Sequence, residues 1–384
     1  MRELFLLDPN IIYLNHGSFG ACPRPVFDEY QRWQRELERQ PVEFLGRRFT
    51  DRMQTARSGL ADFVGADADE VTYVPNATVG LNTVARSIRL QPGDEVLTTD
   101  HEYGALDRTW RFLCEKRGAQ YIRQPIGVPI QSAEEVIEAV WRGVTDRTRV
   151  LFISHITSPT AITFPIKPLI DRARARGIIT IVDGAHAIGQ IDLNLRQIGA
   201  DFYASNCHKW LMAPKGSAFL YARRDVQPLV EPLVVSWGWQ AERPSSSRFI
   251  DEQEWQGTRD IAAYLSVPAA IQFWRDHDWP NVQQKCHELV RLARRQVTAL
   301  TDLPALTPAD AAWFSQMSNL PLPACDLDTL KMRLYDEDRI EIPIIRWNDR
   351  YGVRISIQGY NTVGDVEALV NALRRLLPQV TVKA

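Results

Sequence analysis

The chain has 384 residues, 45% hydrophobic and 24% charged, with a net charge of −2. That length and composition describe a globular protein of two or three domains, or one large domain with a smaller partner. Interspersed charge near neutrality excludes the basic stripe of a nucleic-acid binder, and no run approaches the roughly 18 apolar residues of a membrane span.

Short buried strands and amphipathic helices alternate along the chain. Val71–Val74, Glu95–Thr98, Val150–Ser154, Ile178–Val182, Phe202–Ser205 and Ser217–Tyr221 read as strands. Val79–Ser87, Tyr103–Lys116, Ala133–Trp141 and Ile166–Ala175 read as helices between them. This alternation predicts an α/β fold with a mostly parallel sheet covered by helices. From about residue 265 the texture changes: one long helix, Val267–Leu300, precedes a stretch of strands and a helix punctuated by Pro304, Pro308, Pro321 and Pro323. The expected division is a large domain over 20–265 and a smaller α+β domain over 266–384, joined by 1–19.

Cys22, Cys114, Cys207, Cys286 and Cys325 show neither zinc-ligand nor redox spacing. They read as free thiols in a reducing compartment. The first ten residues are too interrupted to act as a signal peptide. The expectation is a cytoplasmic protein with no metal, no nucleic acid and no membrane partner.

Chemistry concentrates at strand ends, where open α/β sheets bind ligands. The buried run 178–182 ends in Asp183-Gly-Ala-His186. Downstream, 26 residues beyond Asp183, Lys209 follows another strand and stands among Trp210, Leu211, Met212 and Ala213. A lysine in apolar surroundings loses stability as a cation, so its neutral amine becomes available to bond an aldehyde. Such a lysine with a strand-end aspartate is the pair that pyridoxal phosphate (PLP) requires, the aspartate keeping the ring nitrogen protonated. A phosphate site is offered by Asn76-Ala-Thr78, where a strand turns into a helix N-terminus. His101 or Tyr103, again just past a strand, could stack on the ring. Arg354, in a strand near the C-terminus, could grip a substrate carboxylate with its two-pronged guanidinium. Trp237, Trp239 and Trp255 could wall a substrate entrance, although tryptophans at such positions more often serve packing.

Together these residues resemble the class V aminotransferases, fold-type I PLP enzymes, and within them the isopenicillin N epimerase group. The matching strings are Tyr13-Leu-Asn-His-Gly-Ser-Phe-Gly20, Asp100-His-Glu-Tyr-Gly-Ala105, His155-Ile-Thr-Ser-Pro-Thr160, Asp183-Gly-Ala-His186, Asn206-Cys-His-Lys-Trp210, Trp255-Gln-Gly-Thr-Arg-Asp260 and Arg354-Ile-Ser-Ile-Gln-Gly-Tyr-Asn361. The resemblance implies a seven-stranded large-domain sheet and a homodimer with shared sites. It implies that Lys209 bonds the cofactor, that Asp183 pairs with the ring nitrogen, that His186 sits by the phenolic oxygen and that His101 stacks on the ring. Asn76, Ala77, Thr78 and His208 would cradle the phosphate, with Asn206 alongside in the same motif. Thr258 would reach the phosphate of the neighbouring subunit. Arg354 would clamp the substrate carboxylate, with Tyr103 close by, and Asn15 and His16 would line the entrance. Ser158 stands where related enzymes often carry asparagine, and would reach the phenolic oxygen with a shorter side chain.

The same group includes epimerases and C–S lyases. Elimination needs only Lys209 and a good leaving group, whereas epimerisation needs a second proton carrier on the opposite face of Cα. The reading therefore favours β-elimination from a cysteine derivative. Amino-acid epimerisation, transamination and a non-catalytic binding module on the same fold are the alternatives. A persulfide-forming desulfurase is disfavoured, because 342–353 holds no cysteine ahead of Arg354.

Overall fold

The computed structural model describes residues 1–382. After a two-residue strand β1 (Ile12–Tyr13) come the seven strands of the main sheet: β2 (Val71–Val74), β3 (Glu95–Thr99), β4 (Gln120–Gln124), β5 (Thr148–Ser154), β6 (Ile179–Asp183), β7 (Phe202–Ser205) and β8 (Ala218–Ala222). Their spatial order is β2-β8-β7-β6-β5-β3-β4. Only β8 runs against its neighbours. Strands β2, β6, β7 and β8 are buried along almost their whole length. That burial is why they read as continuous apolar runs rather than alternating ones. Because β2, β3, β5, β6 and β7 point the same way, their carboxyl ends gather along one edge of the sheet, with Ser154 beside Asp183 and Asp183 beside Ala204.

The edge strand β4 went unread in the sequence. Its residues, Gln-Tyr-Ile-Arg-Gln, are partly exposed, and a polar edge strand carries no hydrophobic signature. The helix expected over Val267–Leu300 is two helices, Val267–Asp276 and Trp279–Thr301. Asp278 breaks them with φ +46°, His277 Nδ1 bonds the Phe273 carbonyl, and Pro280 opens the second helix, where its missing N–H costs nothing.

Beyond the break, β9 (Met317–Leu322), β11 (Ile344–Trp347) and β12 (Arg350–Ser356) form an antiparallel sheet in the order β11-β12-β9. The remaining strand, β10 (Ile340–Glu341), pairs in parallel with β1. Trp279–Thr301 and the last helix, Val363–Val380, pack on one another, the former also on β9. Asn15 bridges Ser356, so the N-terminal segment lies against the strand that carries Arg354. Among the described residues, no helix is long and apolar enough to cross a membrane.

Candidate active site

The gathered strand ends open onto a cavity of about 680 Å³. Its lining includes Ser18, Thr78, Tyr103, Asp183, Lys209 and Arg354, with Asn76, Ala77, Ser158, His186, Asn206 and His208 also on its wall. Residues from widely separated stretches of sequence therefore meet in one place.

Asp183 ends β6. Its Oδ1 accepts the Ala185 N–H at 2.9 Å, the only hydrogen bond to its carboxylate among the described residues. Burial raises its pKa, against the pull of that N–H and of Lys209. Lys209 sits in the turn after β7. Loss of hydration, reinforced by the Arg354 cation, draws its amine from an ordinary 10.5 to about 7, against the opposing pull of Asp183. Lys209 Nζ lies 3.2 Å from His186 Nε2. Burial and the neighbouring cations hold His186 well below the ordinary histidine range.

At the other end of the cavity the helix Ala77–Ser87 begins. Asn76 caps it by accepting the Val79 N–H, and Asn206 Oδ1 accepts the Ala77 N–H at 2.8 Å. Between these two engaged groups stands Thr78, whose N–H and hydroxyl are left for an anion. Asn206 thus shapes the helix start as well as lining the wall. His208 Nδ1 lies 3.0 Å from the Ser217 carbonyl and must donate to it. Burial and then the Lys209 cation bring this imidazole down to about 4.

Arg354 is buried. Its Nη1 donates to the Ser158 carbonyl at 2.7 Å and to Ser158 Oγ at 3.1 Å, and its Nη2 donates to Ser18 Oγ at 3.3 Å. Ser18 in turn donates to Asn15, whose amide donates to Glu341. Ser158 therefore spends its polar atoms on the guanidinium.

The expectations for His101, Asn15 and His16 need correction. His101 does not reach the cavity. It is wholly buried, with Nδ1 2.7 Å from Thr160 Oγ1 and Nε2 2.9 Å from the Ile126 carbonyl, and its ring lies against Trp347. The loop after β3 turns this side chain inward and sends Tyr103 to the cavity instead. His16 is wholly buried and Asn15 nearly so, and neither lines the cavity. His16 Nε2 lies 2.9 Å from the Lys209 carbonyl and Nδ1 2.9 Å from Tyr360 Oη, so it braces the lysine turn from behind. Gly20 makes this closeness possible: at φ +70° a Cβ there would overlap the His208 carbonyl oxygen. Thr258 lies in a second hollow with Arg57, Glu254, Trp255 and Trp237. Trp237 and Trp255 accordingly wall that hollow and not the Lys209 cavity, and Trp239 lines neither.

A family model, Aminotransferase class-V, matches residues 12–369. The chain belongs to the class V aminotransferase family. An isopenicillin N epimerase of Amycolatopsis lactamdurans is 36% identical over 98% of this chain and 97% of its own length. A probable chloroplastic L-cysteine desulfhydrase of Arabidopsis thaliana is 30% identical over 96% of this chain and 84% of its own. The solved cystine C–S lyase C-DES, in complex with cysteine persulfide, superposes with a TM-score of 0.83 at 20% identity, covering 95% of this chain and 98% of that one. That similarity shows a shared fold.

The cofactor of this class V enzyme is PLP, and the residues present fit it. One end of the cavity offers an anion site at a helix start, and the floor carries a carboxylate with one hydrogen bond. An amine that sheds its charge near neutrality stands between them. The buried Arg354 Nε has no partner among the described residues, an unmet donor suited to an acceptor such as a carboxylate.

Sequence reasoning passed over three residues of this class V site. Ser18 carries the relay to Arg354, and its only signal was its place within Tyr13–Gly20. Trp210 donates Nε1–H to His186 Nδ1 at 3.3 Å, and the sequence showed it only as an apolar neighbour of Lys209. Glu102 is buried beside the site, accepting from Thr99 Oγ1 at 2.7 Å and Ser154 Oγ at 2.6 Å. Burial pushes its carboxyl up to about 8, offset by those two hydroxyls.

Proposed function

We propose that the protein removes the Cα proton of an amino acid with Lys209 and expels a sulfur-bearing β-substituent, as a C–S lyase on a cysteine derivative. Bound PLP supplies an electron sink for the pair left on Cα. Lys209 would hold the cofactor through its aldehyde, and its amine, near pKa 7, suits the role of base at Cα. Asp183 would face the ring nitrogen, Thr78 with the helix start would meet the phosphate, and Arg354 would receive the substrate carboxylate. In the overall balance the Cα–H and Cβ–S bonds break, the sulfur leaves as thiol, and hydrolysis yields ammonia and a 2-keto acid.

The observation that carries this reading is the single amine of Lys209 placed among Asp183, His186 and Arg354 in one cavity. No cysteine reaches that cavity. All five are buried, and burial raises the Cys325 thiol away from the reactive range. These facts weigh against a persulfide relay on the chain itself. The relatives named isopenicillin N epimerase keep a second reading in view, and Tyr103, on the cavity wall, is the group that could serve the other face of Cα.

Incubation of the purified protein with L-cysteine, L-cystine and cysteine S-conjugates is expected to release pyruvate and ammonia in equal amounts. Solvent-deuterium incorporation at Cα without release, accompanied by inversion, would transfer the assignment to epimerisation. Accumulation of the amine form of the cofactor would transfer it to transamination. Failure to bind PLP would leave a binding module.

We further propose a homodimer. Val42, Val235 and Trp237 are exposed, and Val42 and Trp237 border the hollow that holds Thr258. An apolar rim of this kind suits a second copy. With Thr258 outside its own subunit's cavity, the neighbour's phosphate is the one it could reach. Light scattering is expected to give twice the chain mass, and a monomer mass would refute the pairing. Five free thiols suit a reducing compartment, in keeping with a cytoplasmic enzyme.

A further inference from the structure

His186 stands between two groups whose chemistry fixes its proton. Trp210 Nε1 lies 3.3 Å from His186 Nδ1, and Lys209 Nζ lies 3.2 Å from His186 Nε2. An indole N–H donates and has no lone pair with which to accept. His186 Nδ1 must therefore accept, and in a neutral ring the proton then resides on Nε2. Neutrality follows from the surroundings, since the ring is buried and the Arg354 cation lies nearby.

Trp210 is held firmly enough to impose this choice. It is wholly buried in a small cluster with Ile156, Ala161 and Met317. The His16 ring lies 5.1 Å away, centroid to centroid. On the other side the chain at Gly189 comes so close that a Cβ there would fall 2.6 Å from the Trp210 carbonyl carbon. The indole is thus enclosed by packed side chains, and the backbone that carries it is closely seated.

We propose that Trp210 is a positioning residue that locks His186 as the Nε2–H tautomer, so that His186 presents a donor, and never a base, to the cavity. The proposal rests on the reading of Lys209 as the reactive amine and deepens it. With Nε2–H facing Nζ, the amine must accept, and only an uncharged amine can do so. An ammonium there would set two donors against each other, so the tautomer itself favours the neutral form. The same N–H meets any ligand oxygen brought beside Lys209 as a fixed donor. His186 cannot take a proton at Nε2, and its Nδ1 faces the indole. It is therefore excluded as the second proton carrier that an epimerase would need.

The test is a long-range ¹H–¹⁵N correlation spectrum of protein labelled at histidine, recorded as purified and again with added PLP. The chain has seven histidines, and the spectrum of His186→Gln assigns the missing ring. The wild type is expected to show His186 protonated at Nε2 alone across roughly pH 6–9, including the lower end, where an ordinary histidine still carries most of its charge. In Trp210→Phe, which keeps an aromatic ring but lacks the donor, the Nε2–H to Nδ1–H ratio is expected to fall roughly tenfold, the weight of one neutral hydrogen bond. A wild-type ring protonated at Nδ1, or at both nitrogens, would overturn the proposal, as would an unchanged ratio in Trp210→Phe. Should that variant fail to fold, the wild-type spectrum decides alone. PLP binding is followed separately by absorbance. Protein that binds no PLP yet shows the Nε2–H ring would refute the proposed function and leave the tautomer lock standing.

Discussion

Lys209→Ala is expected to abolish turnover, with kcat lowered by about 10⁴-fold or more, the upper range for loss of a positioned acid–base group. The cofactor should still bind, because the helix start at Ala77 and the carboxylate of Asp183 remain. A second consequence follows from the environment of the amine. Its pKa in the folded protein is depressed to about 7 from 10.5, so between those values the unfolded chain holds a proton that the folded chain does not. Stability therefore falls as pH drops through that window, and below about pH 7 the full penalty is present, on the order of 5 kcal/mol. Lys209→Met fills similar space without the charge. In cofactor-free protein its denaturant midpoint should exceed that of the wild type most clearly below about pH 7, and the difference should vanish above about pH 10.5. Wild-type turnover by Lys209→Ala would remove Lys209 from the chemistry. Equal midpoints for Lys209→Met and wild type at all pH values would mean the amine is hydrated and charged.

Much of the site was legible because the fold places ligands at strand ends and strand ends leave a mark. An apolar run such as Ile178–Val182 terminates in a polar residue at the boundary between buried strand and open cavity, which made Asp183 conspicuous. Lys209 was conspicuous for the converse reason, a charge set among apolar neighbours. Arg354 showed as an arginine within a strand near the C-terminus. What periodicity could not reveal is the direction a side chain takes in an irregular loop. His101 and Tyr103 lie two residues apart after β3, and the turn sends the first toward Trp347 and the second to the cavity. Nothing in their order distinguishes them. Asn15 and His16 were misplaced for a related reason: their helical turn presents Ser18 to the cavity and buries its neighbours against Glu341, Tyr360 and the Lys209 carbonyl. The pairing of Trp210 with His186 joins side chains 24 residues apart and needs the sheet to bring β6 and β7 side by side. Strand β4 and the break at Asp278 show the same limit at the level of the fold, since a polar edge and a single left-handed residue barely disturb the pattern of apolar residues.

Asp183→Asn is the second substitution with a large expected effect, and it should act in opposite directions on activity and on stability. Asparagine keeps the shape and can still accept the Ala185 N–H, but it carries no charge to hold a proton on the ring nitrogen. A buried opposite charge shifts a partner's pKa by roughly one to three units, so its loss should lower kcat by about 10²- to 10³-fold, with substrate affinity little changed because Arg354 is untouched. Stability should move the other way. Burial raises the Asp183 pKa, so the group favours folding where it is protonated, and that contribution is lost as pH rises through its folded value. At neutral pH, where the unfolded carboxyl is ionised, the cofactor-free wild type therefore bears the cost of burying this group, and Asp183→Asn relieves it. The denaturant midpoint of the cofactor-free variant should exceed that of the wild type at pH 7 and converge with it in acid, where both side chains are neutral. Added PLP should reverse the order, since only the wild type gains the ring-nitrogen partner for its charge. Unchanged kcat would take Asp183 out of the mechanism. A lower midpoint for the cofactor-free variant at pH 7 would mean that the carboxylate is stabilised by this chain alone, and that its charge was never kept for a ligand.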